Sequence, residues 1–405
     1  MTNITYTYLL FICLIISSCT ANETVSTTNQ LPTLLDRPTE LTGTEWDKVQ
    51  TIYQDCKMNI AENPDDFGDY IKLAEVFMHE ARVTGEHGHY YPSAIVVLNE
   101  VLENEKDATD IRFNALLNKA SVMLSQHEFQ EAKVLSLEAM KINKYNAQLY
   151  GTLVDALVEL GEYDDAVLMG DKMVSLRPDL RSYARISYLR EIHGDLDGSI
   201  KAMTMAAQAG YPGLEQTAWA KLTLGELYEK NNEIEKSSII YQQILEERDN
   251  YPFAIAALGD LELKKENYKK AEELLQKAAD IIPEVGYYTS LAKVYKATNQ
   301  DEKFEETIKE ILIMLQDDVD SGHNMNLEYA DVYLNLIEDT EQAEKYALRE
   351  YAKRPNNIDV NKVMAEVHLS KQEVSQAQTY LDYILTINKN SSEVKNMKAK
   401  LSMTM

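Results

Sequence analysis

The chain has 405 residues, 45% of them hydrophobic, with only 15 glycines and 9 prolines, so most of it has the material to fold. Sixty-six acidic side chains against 40 basic ones give a net charge of −26, which repels phosphate backbones and excludes nucleic acid as an expected partner. Three cysteines, Cys13, Cys19 and Cys56, contain no Cys-x-x-Cys pair, which excludes zinc-knuckle and thioredoxin-type chemistry.

Residues 1–18 carry no charged side chain, and Tyr8 to Ile16 is an unbroken apolar stretch. It is far shorter than the ~20 residues a spanning helix needs, and it suits the core of a secretory signal. The following Ile16-Ser17-Ser18-Cys19 resembles the lipobox of bacterial lipoproteins. That resemblance implies a signal peptide over residues 1–18 and cleavage before Cys19. It also implies a lipid on the Cys19 thiol and anchorage in a bacterial cell envelope, at the outer membrane, with the face left open. The leading segment lacks the Lys or Arg usual in such signals, and an ordinary secretory signal or a cytoplasmic chain with an apolar start are the competing readings. Residues 19–43, rich in Thr, Asn, Ser and Pro, read as a flexible tether with a mean span of roughly 25–30 Å.

Residues 44–66 form the next unit, an amphipathic capping helix starting near Thr44 and ending before Pro64. Its apolar stripe is Trp46, Val49, Ile52, Tyr53, Cys56 and Ile60, which makes Cys56 a buried, inert thiol. From residue 67 to 390 the sequence repeats. The clearest unit runs from Ala147 through Tyr150, Leu153, Val154, Leu157, Gly161, Tyr163 and Ala166 to Pro178. It resembles the tetratricopeptide repeat, with Val154 in the usual small position and Leu157 in the usual aromatic one. A small first-helix position recurs as Ala74, Ala120, Val154, Ser187, Gly225, Gly259, Ala292, Ala330 and Ala365. The second-helix counterpart reads Ala94, Ala132, Ala166, Ser199, Ser237, Ala271, Phe304, Ala343 and Ala377, where Phe304 departs. Small residues let paired helix axes approach to about 8–10 Å. Gly161 and Gly194 suit turns of positive φ, and Pro178, Pro283 and Pro355 stop second helices. The fold expected is all-α, a right-handed superhelix of about nine helix pairs. Sustained heptads are missing, which excludes a coiled coil. Residues 391–405, with Val394, Met397 and Leu401 on one side, read as a C-terminal capping helix.

The first repeat holds an apparent insertion, Thr84 to Pro92, and three of the seven histidines fall within eleven residues. His79, Glu86, His87 and His89 are candidate ligands for a transition metal, against the alternative that the loop only packs its tyrosines on the solenoid. The tetratricopeptide resemblance implies a concave groove lined by first helices. Carried over by position, its middle presents Asp155, Arg181, Tyr188, Glu191, Trp219, Glu226, Phe253, Asp260 and Lys293. Rings among charges suit an extended peptide or an amphipathic helix. The competing reading packs Trp219 and Phe253 between repeats. Arg190 takes an aromatic position, and Glu226 is its expected ion-pair partner, while recognition of an acidic ligand by this arginine-rich stretch is the rival.

No Gly-x-Ser-x-Gly, His-Glu-x-x-His, Walker or dinucleotide-binding pattern occurs, so no enzymatic role and no cofactor are expected. The function expected is a membrane-anchored scaffold that binds protein or peptide partners in its groove. The alternatives are a metal- or small-ligand-binding accessory lipoprotein using residues 84–92, and a structural factor in an outer-membrane assembly complex.

Overall fold

The computed structural model describes residues 31–404, and Thr33 onward forms one compact unit. The signal peptide, Cys19 and most of the tether lie outside the described residues. No helix among the described residues is long and apolar enough to cross a membrane.

All regular structure there is helical. A capping helix α1 (Thr44–Glu62) precedes nine antiparallel pairs. They are α2 (Phe67–Thr84) with α3 (His87–Asn104), α4 (Asp110–Ser125) with α5 (Phe129–Ile142), and α6 (Ala147–Glu159) with α7 (Tyr163–Leu176). Next come α8 (Leu180–Ile192) with α9 (Leu196–Ala209), α10 (Glu215–Lys230) with α11 (Ile234–Glu247), and α12 (Pro252–Lys264) with α13 (Tyr268–Ile281). The last three are α14 (Val285–Ala297) with α15 (Asp301–Asp320), α16 (Asn326–Val332, continued as a π-helical turn over Tyr333–Ile337) with α17 (Thr340–Lys353), and α18 (Ile358–Ser370) with α19 (Val374–Ile387). A final helix, α20 (Ser392–Thr404), closes the stack. This is a right-handed α-α superhelix.

Local sequence sets the boundaries. Asp179 and Ser182 form a reciprocal capping box at the start of α8, and Thr109, Asn146, Asp339 and Asn357 cap four other helices. Pro252 sits at the first turn of α12, where its missing N–H is harmless. All nine small first-helix positions are buried, as are eight of the nine second-helix ones. Each crossing is filled differently. The hydroxyls of Ser187 and Ser199 meet at 2.9 Å, the Tyr241 ring lies where a Cβ on Gly225 would stand, and Leu275 lies against Gly259. Phe304 is only half-buried and packs between the α12–α14 and α14–α16 clusters, with Lys296 over its ring at 5.9 Å. At the far end α20 lays Val394, Met397 and Leu401 on Ala377, Leu381 and Ile384.

The superhelix turns tightly enough for successive coils to touch. Contacts pair residues 195–198 apart in sequence. The turn after α4 docks on the α15–α16 connector, where Asn324 N donates to Gln126 O at 3.0 Å. The turn after α6 docks on the α17–α18 connector, where Arg354 pairs with Glu159 and Ile358 N donates to the Tyr163 hydroxyl at 2.8 Å. The turn after α8 docks on the α19–α20 connector, where Asn388 Nδ2 donates to Glu191 O at 3.3 Å. Every second connector of the upper coil thus sits on a helix–turn–helix of the lower coil, forming a seam. Glycine is required at two of these turns. Gly161 (φ 76°) and Gly194 (φ 79°) take left-handed conformations, and a Cβ on either would collide with Asn356 or Asn388 of the coil above.

Two expectations are corrected here. Residues 33–43 are not free tether. Arg37 is buried and holds Glu80 of α2 through two hydrogen bonds (2.8 and 2.6 Å), and Leu35 N donates to the Tyr90 hydroxyl at 3.1 Å. Composition hid this strap because a single buried arginine fixes it. The apparent insertion 84–92 is also absent. Only Gly85 and Glu86 separate α2 from α3, and His87 to Pro92 are the first helical turns of α3. Pro92 is tolerated so early because few intrahelical donors are lost.

Candidate functional site

The nine expected groove residues all lie on first helices, and the tight coil brings first helices of distant pairs near one another. Their mutual electrostatics show this. Tyr188 in the fourth pair senses Asp359 in the ninth, Arg181 in the fourth senses Arg82 in the first, and Asp359 senses Lys230 in the fifth. Groups so far apart in the stack come near one another because the coil closes, Tyr188 and Asp359 beside the Glu159–Arg354 seam contact.

The nine expected groove residues divide into three kinds. Asp155, Glu191 and Asp260 are engaged. Asp155 takes a two-point bond from Arg185 (2.9 and 2.5 Å), Glu191 pairs with Lys230 at 2.5 Å, and Asp260 bonds the Ser290 hydroxyl of the next first helix. Phe253 is a packing residue, half-buried between Tyr251 (5.3 Å between rings) and Tyr287 (6.2 Å). Arg181, Trp219, Glu226 and Lys293 are open, Trp219 with 45% of its surface exposed. Tyr188 lies between these kinds, half-buried with its hydroxyl 3.5 Å from Glu159.

Two of the open charges are shifted by the protein around them. Glu226 exposes surface, yet the protein around it raises its carboxyl above the usual range, against the pull of Lys230. Arg181 likewise exposes surface while burial, then Arg185, lowers its pKa. Neither Arg82 nor Arg181 has a carboxylate within ion-pair distance among the described residues. Arg37 and Arg248 lie near the same end, around a cavity of ≈ 330 Å³ that Arg82, Tyr251 and Phe253 also line. Arg37 and Arg248 there share Glu45, at 4.0 and 3.5 Å. The deeper wall is acidic, with Glu226, Asp260 and Asp359, all three carboxyls raised chiefly by burial. Along α10 the stripe Glu215, Trp219, Glu226 falls within about 40° of one face, so the ring stands between the two regions.

The expected partnership of Arg190 with Glu226 is corrected. Arg190 bonds Asp195, the N-cap of α9, at 2.8 Å, because the following helix starts within its reach. The expected metal set is corrected too. His79 bonds Glu45 at 3.1 Å, His89 bonds the Thr33 carbonyl at 2.8 Å, and Glu86 is exposed. Only His87 of the four enters a cluster, with Asp318 and His323 from the α15–α16 region. A helix separates them: residues 79, 87 and 89 point to different neighbours once the segment is helical instead of looped. Two wall residues were missed. Asp359 stands six residues before its repeat's small Ala365, the register of Arg181, Trp219 and Phe253, so extending that register would have found it. Arg82 lies outside the register and reaches the wall only because the coil closes.

A scan against protein-family models found no match, and a search of curated proteins found none. Among solved structures, similarity is low and extended. The chain is 14% identical to the chain matched in the Cut9–Hcn1 hetero-tetramer of the APC/C, covering 89% of this chain and 61% of that one, with a TM-score of 0.48. It thus spans about three-fifths of that protein. It is 12% identical to human IFIT1 in a dimer with m7Gppp-AAAA (88% and 86% covered, TM-score 0.48) and 15% identical to Pseudomonas aeruginosa pilF (64% and 98%, TM-score 0.39). The helix pairing, the period and the small residues at most crossings make the described residues a tetratricopeptide-type solenoid.

Proposed function

We propose that this chain is an envelope scaffold, lipid-anchored through Cys19, that captures an extended protein segment along the inner wall of its superhelix. The observation that carries the reading is the pair Arg82 and Arg181. Both cations are exposed side chains of a strongly acidic protein, the Arg82 charge adds to burial and Arg185 in lowering the Arg181 pKa, and neither has an ion-pair partner among the described residues. Such a pair is stabilised by a ligand carboxylate, which can take a guanidinium through two parallel hydrogen bonds. Trp219 then offers a ring one stretch further along, and Glu226, Asp260 and Lys293 set register for complementary charges. The net charge of −26 disfavours a nucleic-acid ligand.

A photo-crosslinking residue in place of Trp219 tests this in intact cells, with the same residue at Leu168, exposed on α7, as the outer-face control. A discrete protein adduct at position 219 and none at 168 is expected, and Arg82→Glu with Arg181→Glu should abolish it while circular dichroism stays unchanged. An adduct indifferent to both charge reversals rejects the groove reading. Loss of fatty-acid labelling in Cys19→Ala tests the anchor separately.

A further inference from the structure

We propose that His87, Asp318 and His323 form a binding site for a divalent transition metal of the zinc class, which staples the first coil of the superhelix to the second. His87 opens α3, whereas Asp318 and His323 flank the end of α15, more than two hundred residues later. One ligand-capable atom from each lies within 4.8 Å of the others. Tetrahedral zinc with nitrogen and oxygen ligands spaces them about 3.3–3.5 Å apart, so side-chain rotation of about 1 Å completes the set.

A second, independent observation points into the cluster. His323 is only 7% exposed, and its Nε2 is buried with no hydrogen-bond partner. Its Nδ1 lies 3.2 Å from the Asp318 main-chain carbonyl. An Nδ1–H donated there fixes the tautomer and leaves the Nε2 lone pair free, the arrangement metal-bound imidazoles use. Two imidazoles with one carboxylate suit zinc and its neighbours rather than calcium or magnesium. The packing is close enough to matter, since a Cβ on Gly88 would come within 2.6 Å of the Ser321 hydroxyl. In the other cluster of this kind among the described residues, Glu344, His368 and Glu373, the groups are already engaged. His368 Nδ1 bonds Glu373 at 2.6 Å, and the Lys371 ammonium lies 2.8 Å from Glu344 and 3.4 Å from Glu373.

Isothermal titration of the chelator-treated chain with zinc chloride, followed by thermal unfolding with and without zinc, tests the proposal. One zinc per chain is expected, with a rise in Tm. His323→Ala and Asp318→Asn should each weaken binding by about tenfold or more and remove the Tm rise. His368→Ala and the double variant His79→Ala/His89→Ala should bind as the parent does. Circular dichroism confirms that each variant is folded, and Asp318→Asn, which keeps shape, serves if His323→Ala is not. Absence of zinc uptake overturns the proposal. So does uptake that survives both His323→Ala and Asp318→Asn, or that is lost in either control.

Discussion

At the residue scale, two kinds of left-handed turn position carry opposite predictions. Glu266 holds φ 62° with an exposed side chain, in a turn away from the seam. An L side chain there costs roughly 1–2 kcal/mol of backbone strain, partly offset by what glycine loses on folding. Glu266→Gly should therefore stabilise the chain by about 0.5–1 kcal/mol in urea unfolding, and a destabilisation would refute the strain argument. Gly161→Ala meets the same strain and must also displace the Asn356 carbonyl, so it should destabilise by about 2–4 kcal/mol. Asn232→Ala, at φ 57° in a turn between α10 and α11, isolates the strain from the collision. The two glycines were legible as turn residues from sequence. Their second role was not, because a partner 195 residues away in a non-adjacent repeat leaves no periodic trace. The small crossing residues were legible for the converse reason: each is fixed by its immediate neighbour helix and recurs with the period.

At the element scale, the strap over residues 33–43 shows how a segment of tether-like composition becomes structure. Arg37 reaches Glu80 in a fully buried two-point pair and lies 5.2 Å over the Trp46 ring. Removing one partner of a buried pair leaves the other uncompensated, a cost of about 3–5 kcal/mol. The strap can avoid that cost by detaching, which readmits water to Glu80. Arg37→Ala should therefore raise hydrogen exchange over residues 35–42 and shift Trp46 emission to the red in a Trp219→Phe background, leaving α6 to α13 protected. Exchange unchanged over the strap would show that Arg37 does not hold it. Acid should produce the same release. The His79 hydrogen bond, then Arg248, His79 and Arg37 as charges, hold the Glu45 carboxyl at about 2 against a desolvation penalty and an ordinary 4.5. A depressed carboxylate pKa gives stability that is complete above about pH 4.5 and fades as pH falls toward 2. Trp46 emission should report that step, and Glu45→Gln should remove it. The misread segment 84–92 has a related explanation. Its Gly and Pro suggested a loop, yet Gly85 is the left-handed C-cap of α2, Gly88 lies in the first turn of α3, and Pro92, six residues into α3, gives up a single intrahelical bond.

At the scale of the whole molecule, the seam changes what kind of object the solenoid is. An open array has contacts only between neighbouring repeats, and its ends fray independently. Here each of several lower-coil turns also bears on a connector about six repeats later, through pairs such as Arg354 with Glu159 and Asn388 with Glu191. These contacts close loops in the interaction network, so opening one end must also break contacts made by the middle. They also bring the Arg82 charge near enough to Arg181 to contribute to its lowered pKa. The double variant Gly161→Ala/Gly194→Ala is the direct probe, because a Cβ on Gly161 meets the Asn356 backbone and one on Gly194 crowds the Asn388 and Asn390 side chains, loading the seam without removing a core contact. It should enlarge the radius of gyration in solution scattering, broaden the urea transition, and reduce crosslinking at position 219 together with the binding of zinc at His87 and His323. Asn232→Ala, strained alike but off the seam, should change none of the four. If the double variant keeps the parent's radius and a single sharp transition, the coils are held by the repeat curvature alone. The seam would then be a consequence of the winding instead of its cause.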